Sequence, residues 1–137
     1  MPPKSVLQMV NEAKQRIENL SVADVVTEVG AGQALLIDIR EAGELMQQGS
    51  IPGAVVAPRG MLEFFADKHS PDYREVLQPR RRTIVYCADG QRSALAADTL
   101  QQIGFTNVAH LDGGLVAWQA AGQPTAPALN WYKLLKD

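Results

Sequence analysis

The chain has 137 residues, 46% of them hydrophobic and 20% charged, with a formal net charge of −2, which describes one soluble globular domain able to bury a core without staples. That near-neutral balance supplies no global field for nucleic acid or an anionic membrane, so neither is an expected partner. A single Cys excludes an internal disulfide, and His69 and His110 form no ligand cluster with it, so no metal is expected.

At the N-terminus polar residues return at Gln8, Asn11 and Glu12, so no leader is expected. No stretch approaches the roughly 20 apolar residues of a spanning helix. The cytoplasm is the expected location, and its reducing conditions suit a free thiol. Val6, Leu7, Val10, Ala13, Ile17 and Leu20 recur at helical spacing, predicting an amphipathic helix in an N-terminal extension over residues 1–20. Its apolar stripe makes it either an extra layer on the domain or a handle for a partner. Ser21 with Asp24 three residues on predicts a capping box, opening a short helix through Val22, Val25 and Val26 that stops at Gly30-Ala31-Gly32.

Residues 34–40 read as a strand apolar on both faces, as in a parallel sheet covered on two sides, followed by a helix over 41–46. Asp38 and Arg40 fall at the strand's C-terminal end, the edge where open α/β sheets place ligands. They either contact substrate or cap the next helix and pair with each other, and the second reading sets them behind a site rather than in it. Residues 49–54 form a turn into the strand Ala54-Val55-Val56. Met61 to Phe65 make a short helix whose aromatics are assigned to the core, and His69 to Asp72 a loop. Arg80-Arg81-Arg82 enters the next strand at its start. At about 3.3 Å per residue that places the run at the opposite sheet edge from Cys87, farther than a Debye length of roughly 8 Å, so it reads as a solvated loop.

Thr83 to Tyr86 form a β-branched, aromatic strand, and Cys87 stands where it ends. A short loop with one Gly follows, then Ser93 is expected to cap an Ala/Leu-rich helix. A tight loop entering a helix turns backbone N–H groups inward and adds roughly half a positive charge, a cup that favours anions. A thiol held there ionises more readily, with Arg92 as a second charge and Gly90 permitting the curvature. The plainer reading, a small buried hydrophobe at a strand end, is outweighed by the Gly, Arg and Ser around the Cys.

Gly104 to Gly114 read as helix stop, strand and Gly-rich turn, with Leu115, Trp118 and Ala121 on one face of a last helix and Trp118 in the core. His110 as a base for Cys87 would make a thiol hydrolase, a reading disfavoured because no orienting Asn or Asp stands at a recognisable spacing. Pro124 to Pro127 are extended, and Trp131, Leu134 and Leu135 suit a docking helix.

Cys87-Ala88-Asp89-Gly90-Gln91-Arg92-Ser93 resembles the C-x-x-G-x-R-S loop of the rhodanese-like sulfurtransferases. The likeness extends to Asp38-Ile39-Arg40-Glu41 for the family's D-x-R element and to Ile51-Pro52-Gly53-Ala54 for H-I-P-G-A, with Ser50 where the family has His. The stretch from Gly104 through Trp118 is similar to the family's closing G-F-x-N-V, L-x-G-G and A-W elements. The resemblance runs from about Ser21 to Pro124. It implies an α/β fold with a central, mostly parallel sheet of about five strands and helices on both faces, preceded by the extra amphipathic helix. The expected organisation is an extension over 1–20, a rhodanese-like domain over 21–124, and a tail or short helix over 125–137. It further implies that Cys87 takes a sulfane sulfur from thiosulfate or a protein persulfide, becomes a persulfide, and passes the sulfur to a thiol or cyanide. Ala88, Asp89, Gly90, Gln91, Arg92 and Ser93 would bind the substrate, Asp38 and Arg40 would stand behind them, and no cofactor is required.

Two other readings compete. A Cys-based phosphatase or arsenate reductase uses a related cup with Cys-x5-Arg spacing, whereas four residues separate Cys87 from Arg92 and Asp89 would repel a dianion. A non-catalytic binding or redox-sensing module would use Cys87 without turnover, and thiosulfate turnover separates it from the enzyme.

Overall fold

In the computed structural model, which describes residues 2–128, five short strands form one parallel sheet. In chain order the elements are α1 (Val6–Arg16), β1 (Glu18–Leu20), α2 (Val22–Gly30), β2 (Leu35–Asp38), α3 (Ala42–Gln48), β3 (Val55–Val56), a 3-10 turn (Arg59–Met61), α4 (Leu62–Ala66), β4 (Thr83–Tyr86), α5 (Gln91–Ile103), β5 (Val108–Leu111) and α6 (Gly114–Ala120). The strand order is β1-β5-β4-β2-β3. β4 is therefore central, with β2 on one side and β5 on the other, and the chain reverses its direction of travel across the sheet there. In open α/β sheets such a reversal opens a crevice at the carboxyl ends of the strands.

Alternation along the strands divides the core into two layers. Ile37, Val85, Cys87 and Val108 pack with Val10, Ala13 and Ile17 and with Ala94, Ala97 and Leu100 of α5. Leu36, Ile84, Tyr86 and Ala109 pack on the other face with Val25, Leu115 and Trp118. β2, β4 and β5 are buried along their whole length, which is why they lack an alternating polar pattern. The capping box at Ser21 and Asp24 is present, each side chain accepting from the other's backbone N–H at 3.1 Å. Trp118 is buried and donates to the Pro124 carbonyl at 2.8 Å, while Ser50 and Ala126 exchange backbone hydrogen bonds that hold the extended tail. The expected helix with Trp131, Leu134 and Leu135 lies outside the described residues.

Three expectations are corrected. The first helix stops at Arg16, and residues 18–20, expected to be helical, form β1, paired in parallel with β5. The reason is local: the Asn19 side-chain amide donates to the carbonyls of Lys14 and Ile17, taking up groups the next helical turn would have used. α1 packs along α5 through Val10 and Ala13, and Val6 and Leu7 remain exposed. Phe64 is likewise exposed, and only Phe65 leans on the core, with the Arg74 guanidinium 5.0 Å from its ring centre. Finally, Arg82 is not part of a solvated run: it grips Glu28 with two bonds of 2.7 and 2.9 Å and Glu18 at 2.8 Å, tying α2 and β1 to the entry of β4.

Candidate active site

Cys87 leaves β4 at the centre of the sheet, and residues 88–90 turn the chain back into α5. The Cys87 sulfur accepts from the backbone N–H groups of Gly90 at 3.2 Å and Ser93 at 3.3 Å. Both donors belong to the first turn of a 13-residue helix or its cap, so the sulfur lies at the positive end of the helix dipole. Gly90 has φ +96°, and a Cβ there would stand 2.9 Å from the Gly113 nitrogen. Only Gly meets both the curvature and the close approach.

The turn between β5 and α6 buttresses this loop. Leu115 N–H donates to the Cys87 carbonyl and Val116 N–H to the Ala88 carbonyl, each at 2.9 Å. Gly114, at φ +59°, would carry a Cβ 2.5 Å from the Cys87 oxygen, so the double-Gly turn exists to let the two loops touch.

The expected loop residues come together, but their roles differ. Ser93 does not cap α5; it is the third helical residue, and Gly90 occupies the cap position. The exposed Asp89 takes the capping task, its carboxylate accepting from the Gln91 backbone N–H at 3.1 Å and the Gln91 side chain at 3.3 Å. Arg92 forms a two-bond fork with Glu44 of α3, at 2.9 and 2.7 Å. That fork holds the Glu44 carboxyl at about 2, so Arg92's charge is matched by a carboxylate that sequence reading did not anticipate. Ala88 is half-buried, and Cys87 itself is fully buried beneath the loop.

Asp38 and Arg40 are fully buried and pair through two short contacts of 3.0 and 2.8 Å. Arg40 also donates to the carbonyl of Gly49 and the side chain of Gln48. Tyr86 donates to Asp38 at 2.6 Å, and the Ser50 hydroxyl lies 2.9 Å from Asp38 and 2.7 Å from the Tyr86 hydroxyl. Burial first, and then the Asp38 carboxylate, push the Tyr86 phenol up, so it remains a donor. Tyr86 and Cys87 point to opposite faces of the sheet, so this network braces the β2 and β4 ends from behind.

One group emerges that sequence spacing did not connect. His110 is fully buried on the Cys87 face, with Nδ1 2.9 Å from the Ser93 hydroxyl and Nε2 2.7 Å from Asn19 Oδ1. The Ser93 hydroxyl in turn lies 3.5 Å from the Cys87 sulfur. The orienting Asn that sequence reading missed sits 91 positions upstream, aligned with His110 by the β1–β5 register. Reading residues 18–20 as helix concealed it.

A family model described as Rhodanese-like domain matches residues 10–121. A protein of Allochromatium vinosum named sulfurtransferase is 34% identical over 116 residues, covering 85% of this chain and 94% of that one. The Arabidopsis thaliana chloroplastic rhodanese-like/PpiC domain-containing protein 12 is 31% identical over 126 residues; the match takes in 89% of this chain but only 40% of that longer protein. Among solved structures, a protein of unknown function from Rhodopseudomonas palustris, described as a possible tyrosine phosphatase, superposes with a TM-score of 0.85 at 40% identity, covering 92% of this chain and 99% of that one.

Proposed function

The chain belongs to the rhodanese-like domain family, and on that premise we propose that it is a sulfurtransferase working through a persulfide on Cys87. A relative named sulfurtransferase over nearly its whole length supports rhodanese-type sulfur transfer. The observation that carries the reading is the pair of N–H groups, from Gly90 and Ser93, directed at the Cys87 sulfur at the head of α5. In this position negative charge on sulfur is met by fixed dipoles without reorganisation.

The Cys87 thiolate attacks the sulfane sulfur of the donor. With thiosulfate the new Cys87 S–S bond forms as the bond to the sulfonate sulfur breaks, and sulfite leaves with the electron pair. A thiol or cyanide then attacks the outer sulfur, giving a persulfide or thiocyanate and returning Cys87 as thiolate. The half-reactions share one site, so a ping-pong pattern follows. The exposed Asp89 and the Glu44 partner of Arg92 place two carboxylates around the loop, which favours a singly charged persulfide donor over dianionic thiosulfate. Incubation with a competent donor should add one sulfur to the intact mass, cyanide should remove it, and Cys87→Ser should not load. Sulfur transfer by the Ser variant, or no loading by thiosulfate, polysulfide or a protein persulfide, overturns the proposal in favour of a binding module.

The likeness to a possible tyrosine phosphatase raises that chemistry as a second reading. Here four residues separate Cys87 from Arg92, and the guanidinium is engaged by Glu44, so the oxyanion clamp such catalysis needs is not assembled. No turnover of an aryl phosphate is expected.

A further inference from the structure

The hydrogen bonds that run from Asn19 through His110 and Ser93 to Cys87 have a direction that heavy-atom positions determine. The Asn19 Nδ2 group donates to two carbonyls, Lys14 at 2.9 Å and Ile17 at 3.2 Å, so its Oδ1 is the atom facing His110. An amide oxygen only accepts, so His110 Nε2 carries a hydrogen. Burial pushes His110 down to about 4; Asp112 opposes that shift and Lys14 adds to it, and these two pair with each other at 2.9 Å. The ring is therefore neutral near pH 7, and Nδ1, lacking a hydrogen, accepts from the Ser93 hydroxyl. With its hydrogen committed to His110, the Ser93 oxygen presents lone pairs to Cys87, where it accepts from a thiol S–H and offers a thiolate nothing.

We infer that Asn19, His110 and Ser93 form a one-way hydrogen-bond chain that presents the Ser93 oxygen to Cys87 only as an acceptor, making His110 a positioning residue that, from another strand, limits how much of the unloaded nucleophile stands as the attacking thiolate. The inference rests on Cys87 being the reacting group, as proposed above. The Gly90 and Ser93 amides and the helix dipole favour thiolate, and the chain opposes them. The charged groups around Cys87 are Arg92, whose charge is matched by Glu44, and Asp89; around His110 they are Lys14 and Asp112. The Arg92–Glu44 and Lys14–Asp112 pairs are internally balanced and Asp89 is exposed to solvent, leaving the orientation of the Ser93 hydroxyl as the adjustable element in the buried site.

The test is the pH profile of Cys87 alkylation by iodoacetamide on the full chain, which counts thiolate whether or not the protein transfers sulfur. His110→Phe releases the Ser93 hydrogen to donate to sulfur, and the midpoint should fall by about one pH unit, roughly a tenfold gain in thiolate below it. In a Ser93→Ala background the same change should have no effect. A midpoint that rises makes His110 a base instead, and one that stays put, or falls equally without Ser93, removes the chain from control; each overturns the inference. Should His110→Phe fail to fold, nitrogen NMR of the unaltered protein near pH 7 decides. A neutral ring protonated at Nε2 is expected, and either the Nδ1-protonated form or an imidazolium overturns it.

Discussion

Two carboxylates near Cys87 act at the scale of single residues, and they act differently. Asp89 both caps α5 and faces the solvent from which a donor arrives. Asp89→Asn keeps an oxygen for the Gln91 N–H while removing about 1 kcal/mol of repulsion toward a dianion. KM for thiosulfate should fall about fivefold with little change in kcat, whereas Asp89→Ala should lose loop order and kcat together. Steady-state kinetics with thiosulfate and cyanide separate the two. Glu44→Gln retains an acceptor for the Glu41 N–H but loses the charge held against Arg92. Because that pair is partly exposed, thermal stability at neutral pH should fall only modestly, while KM for anionic donors drops as Arg92 becomes available. An unchanged KM would mean that Arg92 serves only to tie α3 to α5.

Among the secondary-structure elements, the site depends on two contacts that lie far apart in sequence. The β5–α6 turn touches the Cys87 loop through Gly114, where a Cβ would meet both the Cys87 and Ala88 carbonyls. Gly114→Ala should therefore cost about 2 kcal/mol or more, read as a lower thermal midpoint, and should reduce sulfur loading of the folded fraction because the loop must shift. The second contact is the unit of α1 and β1. Val10 and Ile17 are buried in the same layer as Cys87, and Asn19 supplies the far end of the His110 chain. Removing residues 1–20 should destabilise the domain by about 4 kcal/mol from these side chains alone and alter Cys87 alkylation. The N-terminal segment is thus part of the domain's core, and circular dichroism melts of the truncated and full chains check it.

For the whole molecule, acid stability carries the imprint of the buried ring. His110 titrates near its ordinary 6.5 when unfolded but only at about 4 when folded. Between those values the unfolded chain binds a proton that the native state refuses, so stability declines as pH falls from 6.5 to 4, by about 3 kcal/mol in total. Glu44 works in the same direction lower down: its folded value of about 2, below the ordinary 4.5, adds stability present above 4.5 and lost as pH falls toward 2. Urea unfolding at pH 7, 5.5 and 4.5 should show the decline, and His110→Phe should flatten it. A flat profile in the unaltered protein would place the ring in a wetter setting than its burial implies.

The layered α/β architecture, the capping box, the Cys-to-Ser loop and the two Gly-dependent turns were legible in the chain because each rests on local rules: apolar runs of strand length, capping residues at fixed offsets, and Gly where φ must be positive. The resemblance to one family assembled these pieces into a mostly parallel sheet of about five strands, and the structure has five parallel strands. Tertiary structure alone decided the rest. Residues 18–20 became a strand because Asn19 ends the helix and β5 offers an edge. Arg92 turned toward Glu44, 48 positions away, because α3 and α5 follow the adjacent parallel strands β2 and β4 and so both begin at the carboxyl edge of the sheet. His110 reached Cys87 through Ser93, and Asn19 through parallel register, because strands far apart in sequence lie side by side; no spacing along the chain encodes that distance.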